Sequence, residues 1–221
     1  ILRELAFPKD MAGKKVLVTA GATREPIDPV RFITNHSSGK MGCALAKVAM
    51  LRGAEVTLVH GAMEVKAPLF VKCRPVVTAE DMFQAVEELA PQQDMVIMAA
   101  AVADYTPVTT ASQKLKKSDG DMAIPLKRTQ DILAWLGNHR QPHQVLCGFS
   151  MESESLLENS RAKLQKKGCQ MICAHSIAQE GAGFGTDTNI LTLITPEKTE
   201  ELPIMTKEQA AGEILTRLMQ L

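Results

Sequence analysis

Asn35-His36-Ser37-Ser38-Gly39-Lys40-Met41-Gly42 gathers an amide, an imidazole, two hydroxyls, two glycines and an ammonium into one short run. It follows the apolar stretch KKVLVTA (14–20) and opens directly into an amphipathic helix. In such a strand–loop–helix unit the loop N–H groups and the positive end of the helix face one point, so phosphate or carboxylate is the expected guest. Other segments can join it. The alanine-rich run 99–103, followed by Asp104 and Tyr105, leaves room for a ligand to approach backbone closely. Lys114, Lys116 and Lys117 form a cationic stretch that reads as a mobile flap or as a solvated loop. Lys163 and Lys167 lie four apart, hence on one helical face. Cations that converge with a helix amino end would suit a polyanion.

Positioning these groups requires strands and helices in alternation. Strands are predicted over 14–20, 55–61, 70–77, 94–103, 144–150 and 171–175, with 94–103 as the twice-covered centre of the sheet. Met41, Ala44, Leu45, Val48 and Ala49 recur at helical spacing, and Gly53 can end that helix. Thr78 with Asp81 caps a second helix carrying Met82, Ala85, Val86 and Leu89; a third runs from about 154 to 167. Near the end, 181–189 is turn-rich, 190–196 and 201–205 form a hairpin, and Thr206 with Gln209 caps a last helix. The order predicts a three-layer α/β domain with a Rossmann-like, mostly parallel sheet and a C-terminal β-hairpin extension. Residues 1–13 read as a linker or tail and 14–221 as the working domain. Because the sequence starts at Ile1, a piece of a longer protein is expected.

Composition narrows the classes of function. Lysine plus arginine, 25, equals aspartate plus glutamate, 25, which argues against nucleic-acid or anionic-membrane binding and for small-molecule work. The longest uncharged apolar run, 95–103, falls far short of the roughly 20 residues that span a bilayer, and a cytoplasmic protein is expected. Five scattered cysteines give neither a disulfide framework nor a zinc pair, and the Cys169–Cys173 spacing reads as a buried strand. His139 and His143 bracket Pro142 in a predicted surface loop, which leaves His36 as the histidine of interest.

Two familiar motifs fail on inspection. Gly21-Ala22-Thr23-Arg24 is not the glycine fingerprint of dinucleotide enzymes, and His60-Gly61 stands where an acidic ribose ligand belongs. Gly39-Lys40 is not the end of a P-loop, because Thr34 replaces its first glycine and Met41 its magnesium-binding hydroxyl. An NAD(P)-dependent reductase stays as the alternative enzyme reading, and a catalytically silent nucleotide-binding module as the non-enzymatic one.

The run GATREPIDPVRFITNHSSGKMG (21–42) closely resembles the signature of phosphopantothenoylcysteine synthetase. AAAVADY (99–105), KLKK (114–117), DIL (131–133), GFS (148–150) and GFGTDTN (183–189) match later family segments in order. The resemblance implies CTP-dependent ligation of 4′-phosphopantothenate with L-cysteine through an acyl-cytidylate, with Mg2+ accompanying the nucleotide. It also implies a homodimer, with the C-terminal hairpin as a candidate seam, and native fusion to a flavin-dependent phosphopantothenoylcysteine decarboxylase domain. By motif, Asn35 falls on the asparagine that handles the acyl-cytidylate, Arg31 on a substrate-binding arginine, and Lys114 on the flap lysine. Ala99, Ala100, Asp104, Lys114, Gln130, Asp131, Ile132, Leu133, Phe149, Lys163 and Lys167 fall on the nucleotide pocket, and His36, Ser37, Ser38 and Gly39 on the anion loop. The metal ligands are not legible. The chain departs from the family pattern at Gln130, where proline is common, and at His175-Ser176, where asparagine is common.

Overall fold

β1 (Lys15–Ala20) is buried along all but its first residue, as a strand covered on both faces must be. The computed structural model describes residues 6–116, 120–152, 154–176 and 186–221. Lys117 of the cationic stretch and 181–185 of the turn-rich segment lie outside them.

Beside β1 run β4 (Glu55–His60) and then β5 (Lys72–Pro75) on one side, and β6 (Met95–Met98), β9 (Val145–Glu152) and β10 (Met171–Ser176) on the other, all parallel. Taken in chain order, these six strands have the spatial sequence 3-2-1-4-5-6, whose direction of winding reverses between β1 and β6. Two antiparallel strands, β12 (Thr192–Ile194) and β13 (Thr199–Glu201), complete eight. The predicted hairpin is therefore present, but it extends the main sheet at β10. Its second strand is 199–201 and not 201–205, because Thr195-Pro196-Glu197-Lys198 closes a tight turn with the Thr195 N–H donating to the Lys198 carbonyl at 2.8 Å. Met205 instead lies in β14 (Met205–Thr206), paired with β11 (Thr188–Asn189).

One face of the sheet carries α1 (Lys40–Leu51) and α5 (Lys207–Leu218), packed through Leu45, Val48, Ala211, Ile214 and Leu215. The other carries α2 (Ala79–Leu89), α3 (Ile132–His139) and α4 (Leu156–Lys167), packed through Met82, Val86, Ile132, Leu136 and Leu164. Both predicted capping boxes form, Thr78 with Asp81 on α2 and Thr206 with Gln209 on α5. Of the stretch read as linker or tail, Met11 is fully buried and its N–H donates to the Arg52 carbonyl.

Several expectations need correction. Strand 94–103 stops at Met98, because β1 ends too and the later N–H groups bond elsewhere. The exposed edge strand β5 is shorter than 70–77; Phe70, at φ 66°, breaks it. His139 closes α3 and stacks on Trp135 at 4.5 Å, so it is not in a loop. Cys169 and Cys173 face opposite sides of the sheet, Cys169 just ahead of β10. Two small hairpins went unseen, β2 (Arg24–Pro26) with β3 (Phe32–Thr34) and β7 (Tyr105–Pro107) with β8 (Leu126–Arg128).

Candidate active site

The crevice follows from where the chain leaves the sheet. After β1, Gly21 turns at φ 78° against the loop beyond β4, where a Cβ would come within 2.3 Å of the Ala62 carbonyl oxygen. Residues 99–103 run on as a loop held by two buried threonines: Thr19 Oγ1 accepts the Ala100 N–H at 3.1 Å and Thr23 Oγ1 that of Ala103 at 3.0 Å. Backbone of small residues thus lines the switch point, where ligands of open α/β sheets bind.

Across from this loop stands the amino end of α1. Its cap residue Gly39 has φ 77°, and no side chain caps the first turn, so the helix end presents its positive pole to the cavity. Ser37, Ser38 and Gly39 line a cavity of about 320 Å3 together with Ala99 and Ala100. A second cavity of about 460 Å3 adjoins it, and Ala100, Val102, Asp104, Phe149 and Lys163 line both. Gln130, Asp131, Ile132, Leu133 and Lys167 line the second alone.

The two lysines of α4 arrive there for a packing reason. Gly137 of α3 sits where a Cβ would meet the Lys167 carbonyl oxygen at 1.9 Å, so only glycine lets α3 meet the end of α4. With the two helices so close, Lys167 forms an ion pair with Asp131, which also caps α3 by accepting the Ala134 N–H at 2.9 Å. Burial works against the Asp131 carboxylate, but Lys167 and that N–H hold its pKa below the ordinary value. Lys163 Nζ donates to the Phe149 carbonyl at 2.8 Å, and burial, partly offset by Glu152, lowers its pKa. An ammonium has three N–H groups and this is its one protein acceptor among the described residues, so the remainder can serve a phosphate.

Other predicted residues lie elsewhere. Asn35 and His36 line a third cavity of about 410 Å3, which shares Ser37 and Ser38 with the first. The Asn35 amide reaches back to the Ala101 and Val102 carbonyls at 3.4 and 3.3 Å. Arg31 and Lys114 line none of the three. Arg31 instead grips Asp28, donating from Nε at 2.9 Å, and reaches the Leu115 carbonyl at 3.0 Å. Asp28 in turn accepts the N–H groups of Val30, Arg31 and Leu115. Arg31 holds its carboxyl well below the usual carboxylate range. The pair therefore anchors the cationic stretch one residue beyond the exposed Lys114. Sequence reading missed Asp28, although it stands inside the first motif three residues before Arg31. It also missed Arg128, Thr129, Ser150, Asn189 and Lys207 along the crevice.

Fold and crevice define a class: an open, doubly wound α/β protein with lysines and a bare helix amino end at its switch point. The chain belongs to the family described as DNA/pantothenate metabolism flavoprotein C-terminal domain, whose model matches residues 11–221. It is 45% identical over 213 residues to the coenzyme A biosynthesis bifunctional protein CoaBC of Bacillus subtilis (strain 168), covering 96% of this chain and 52% of that protein. To the protein of the same name from Vibrio vulnificus (strain YJ016) it is 43% identical over 216 residues, covering 97% and 54%. The crystal structure of the C-terminal domain of CoaBC matches with a TM-score of 0.80 at 40% identity, covering 95% of this chain and 96% of that one. The chain spans about half the length of the curated relatives it matches. No described helix is long and apolar enough to cross a membrane.

Proposed function

We propose that this chain performs a ligation in coenzyme A biosynthesis, joining 4′-phosphopantothenate to L-cysteine with CTP as the activating nucleotide. The reading is carried by one juxtaposition within a member of this family: Lys163 lines both the cavity that holds the uncapped amino end of α1 and the adjoining cavity, whose wall Lys167 joins. A carboxylate is a poor electrophile. Its oxygen attacks the α-phosphorus of CTP, the bond to the β-phosphate oxygen breaks, and pyrophosphate leaves with the electron pair. The amine of cysteine then attacks the acyl carbon of the cytidylate, CMP departs and a proton is released. Lys163, Lys167 and the α1 end neutralise the phosphates in the first step. The Asn35 amide handles the acyl carbonyl in the second.

Magnesium fits this site as a companion of the nucleotide. Among the described residues no group of three or more His, Cys, Asp or Glu side chains is placed to hold a metal. Asp104 offers the crevice a carboxylate that forms no ion pair among the described residues, though it lies within electrostatic reach of Lys163, which suits an ion that takes most of its ligands from phosphate and water. When bound, magnesium neutralises triphosphate charge.

Lys114 is read as the lid cation over the triphosphate, swinging in from its anchor at Leu115. Lys114→Gln is expected to slow pyrophosphate release roughly 10-fold, the loss of one charged hydrogen bond. Release at the parent rate would remove the lid role. The working unit is proposed as a homodimer fused to a flavin-dependent decarboxylase. Exposed Val30, Phe32, Tyr105, Val108 and Leu126 on the two small hairpins offer a dimer its apolar surface.

The deciding experiment measures pyrophosphate release with CTP, ATP or neither, with and without cysteine. CTP should support release that depends on 4′-phosphopantothenate, and cysteine should convert the intermediate to amide. Binding of CTP with no release would leave only the silent module, and tight NADPH binding without either would favour the reductase.

A further inference from the structure

Among the described residues two buried side-chain polar atoms lack a hydrogen-bond partner, Ser160 Oγ and His175 Nδ1. Of these residues, His175 is the one that lines the crevice, in the 320 Å3 cavity that also holds residues 37–39 and Lys207. His175 lies opposite Met151 near the C-terminal end of β10, on the face that carries Cys173 toward α1 and α5.

The orphan atom fixes the state of the ring. A nitrogen buried without a partner leaves either an unmet lone pair or an unmet N–H, and buried orphan donors are the rarer fault. Nδ1 is therefore the unprotonated nitrogen. Nε2 is neither a buried unpartnered atom nor bonded to a described group, so it is the one that meets the open cavity. Burial, aided by Lys207, pushes the imidazole pKa down to about 4, which keeps the ring neutral near pH 7 with its proton on Nε2. Around the cavity stand Lys207 of α5, Lys40 of α1, itself paired with Asp187, Lys163 of α4, and Asp104. A surround richer in ammonium groups than in carboxylates repels a cationic ligand and draws an anionic one.

We propose that His175 is a positioning residue whose neutral Nε2–H donates to an oxygen of the phosphate chain held at the amino end of α1. This rests on reading the crevice as a nucleotide site. The neutral donor adds direction where lysines supply charge.

The test titrates inorganic tripolyphosphate and, separately, cytidine against the full chain and its His175→Gln, His175→Asn and His175→Ala variants by calorimetry. Glutamine carries its amide nitrogen to about the reach of Nε2, whereas asparagine reaches only as far as Nδ1. Tripolyphosphate affinity should fall roughly 10-fold in the alanine and asparagine variants and stay near the parent value in the glutamine variant, with cytidine unaffected. Equal affinity in all four chains, or a loss in the glutamine variant equal to that in alanine, would overturn the role of His175 while leaving the nucleotide reading standing. A parent chain that binds no tripolyphosphate would sink both. Should the variants fail to fold, long-range 1H–15N spectra of the parent chain decide. A proton on Nε2 whose signal moves on adding tripolyphosphate is expected, and a proton on Nδ1 defeats the proposal.

Discussion

Asn35→Asp is expected to leave CTP-dependent pyrophosphate release near the parent rate while lowering amide formation by ~100-fold or more. The separation follows from where charge builds. In the first step it builds on phosphoryl oxygens, which the proposed reading sets against the lysines of α4 and the α1 amino end. In the second it builds on the acyl oxygen, which needs a neutral donor. At rest the Asn35 amide gives its N–H groups to two backbone carbonyls at 3.3 and 3.4 Å, longer than the common range for such bonds. A substrate oxygen gaining negative charge outcompetes them. Aspartate reverses the interaction, since its carboxylate repels both the Ala101 and Val102 carbonyls and the developing oxyanion. Product and pyrophosphate measured on the same samples provide the check. Parallel loss of both steps would show that Asn35 only shapes its turn.

Most of the ladder of strands and helices was legible because its long elements have a period that composition cannot hide; the eight-residue α3 (Ile132–His139) was not read. Residues 41–49 show the helical repeat, and Thr78 and Thr206 carry their capping partners three positions on. The small hairpins escaped because their strands are three residues each, too short for alternation to register. The end of β6 escaped for a different reason. An apolar run continues past Met98, but hydroxyls of Thr19 and Thr23, some eighty positions earlier, take the N–H groups that a strand would need. Sequence could have located the end of β12, since Pro196 sits where a tight turn favours it.

The site was legible in part. The i, i+4 spacing of Lys163 and Lys167 sufficed to place both on one wall, because helical geometry is local. Arg31 read as a ligand-binding cation, but it is committed to Asp28, three residues away, and through that pair to Leu115. An arginine inside a binding motif does not reveal which groups of its own protein it also holds. His175 was noticed only as a departure from the family pattern. Its buried nitrogen could not be inferred, because the groups that share its cavity, residues 37–39 and Lys207 among them, lie far from it along the chain.

Gly42→Ala is the second substitution with a large expected effect, and it acts through architecture. Alanine in a helix interior gains about 1 kcal/mol over glycine in an exposed setting. Here a Cβ would stand 2.5 Å from the Ala20 Cβ and 2.7 Å from the Thr19 carbonyl oxygen. Neither is a flexible side-chain end, so α1 must lift from β1, and overpacking of this kind typically costs 1–3 kcal/mol. The net is a melting temperature lower by several degrees. Activity should fall further than stability, because lifting α1 carries residues 37–39 away from the loop at 99–103 and opens the anion site. CTP affinity, read by titration, should drop at least 10-fold at a temperature where the variant remains folded. Adding Ala20→Gly removes the closest contact but leaves the Thr19 carbonyl in place. The double variant should therefore recover part of the affinity and not all of it, which a purely local helix effect would not produce. A single variant that binds CTP like the parent would mean that the amino end of α1 does not hold the phosphates, and the proposed chemistry would lose its anchoring element.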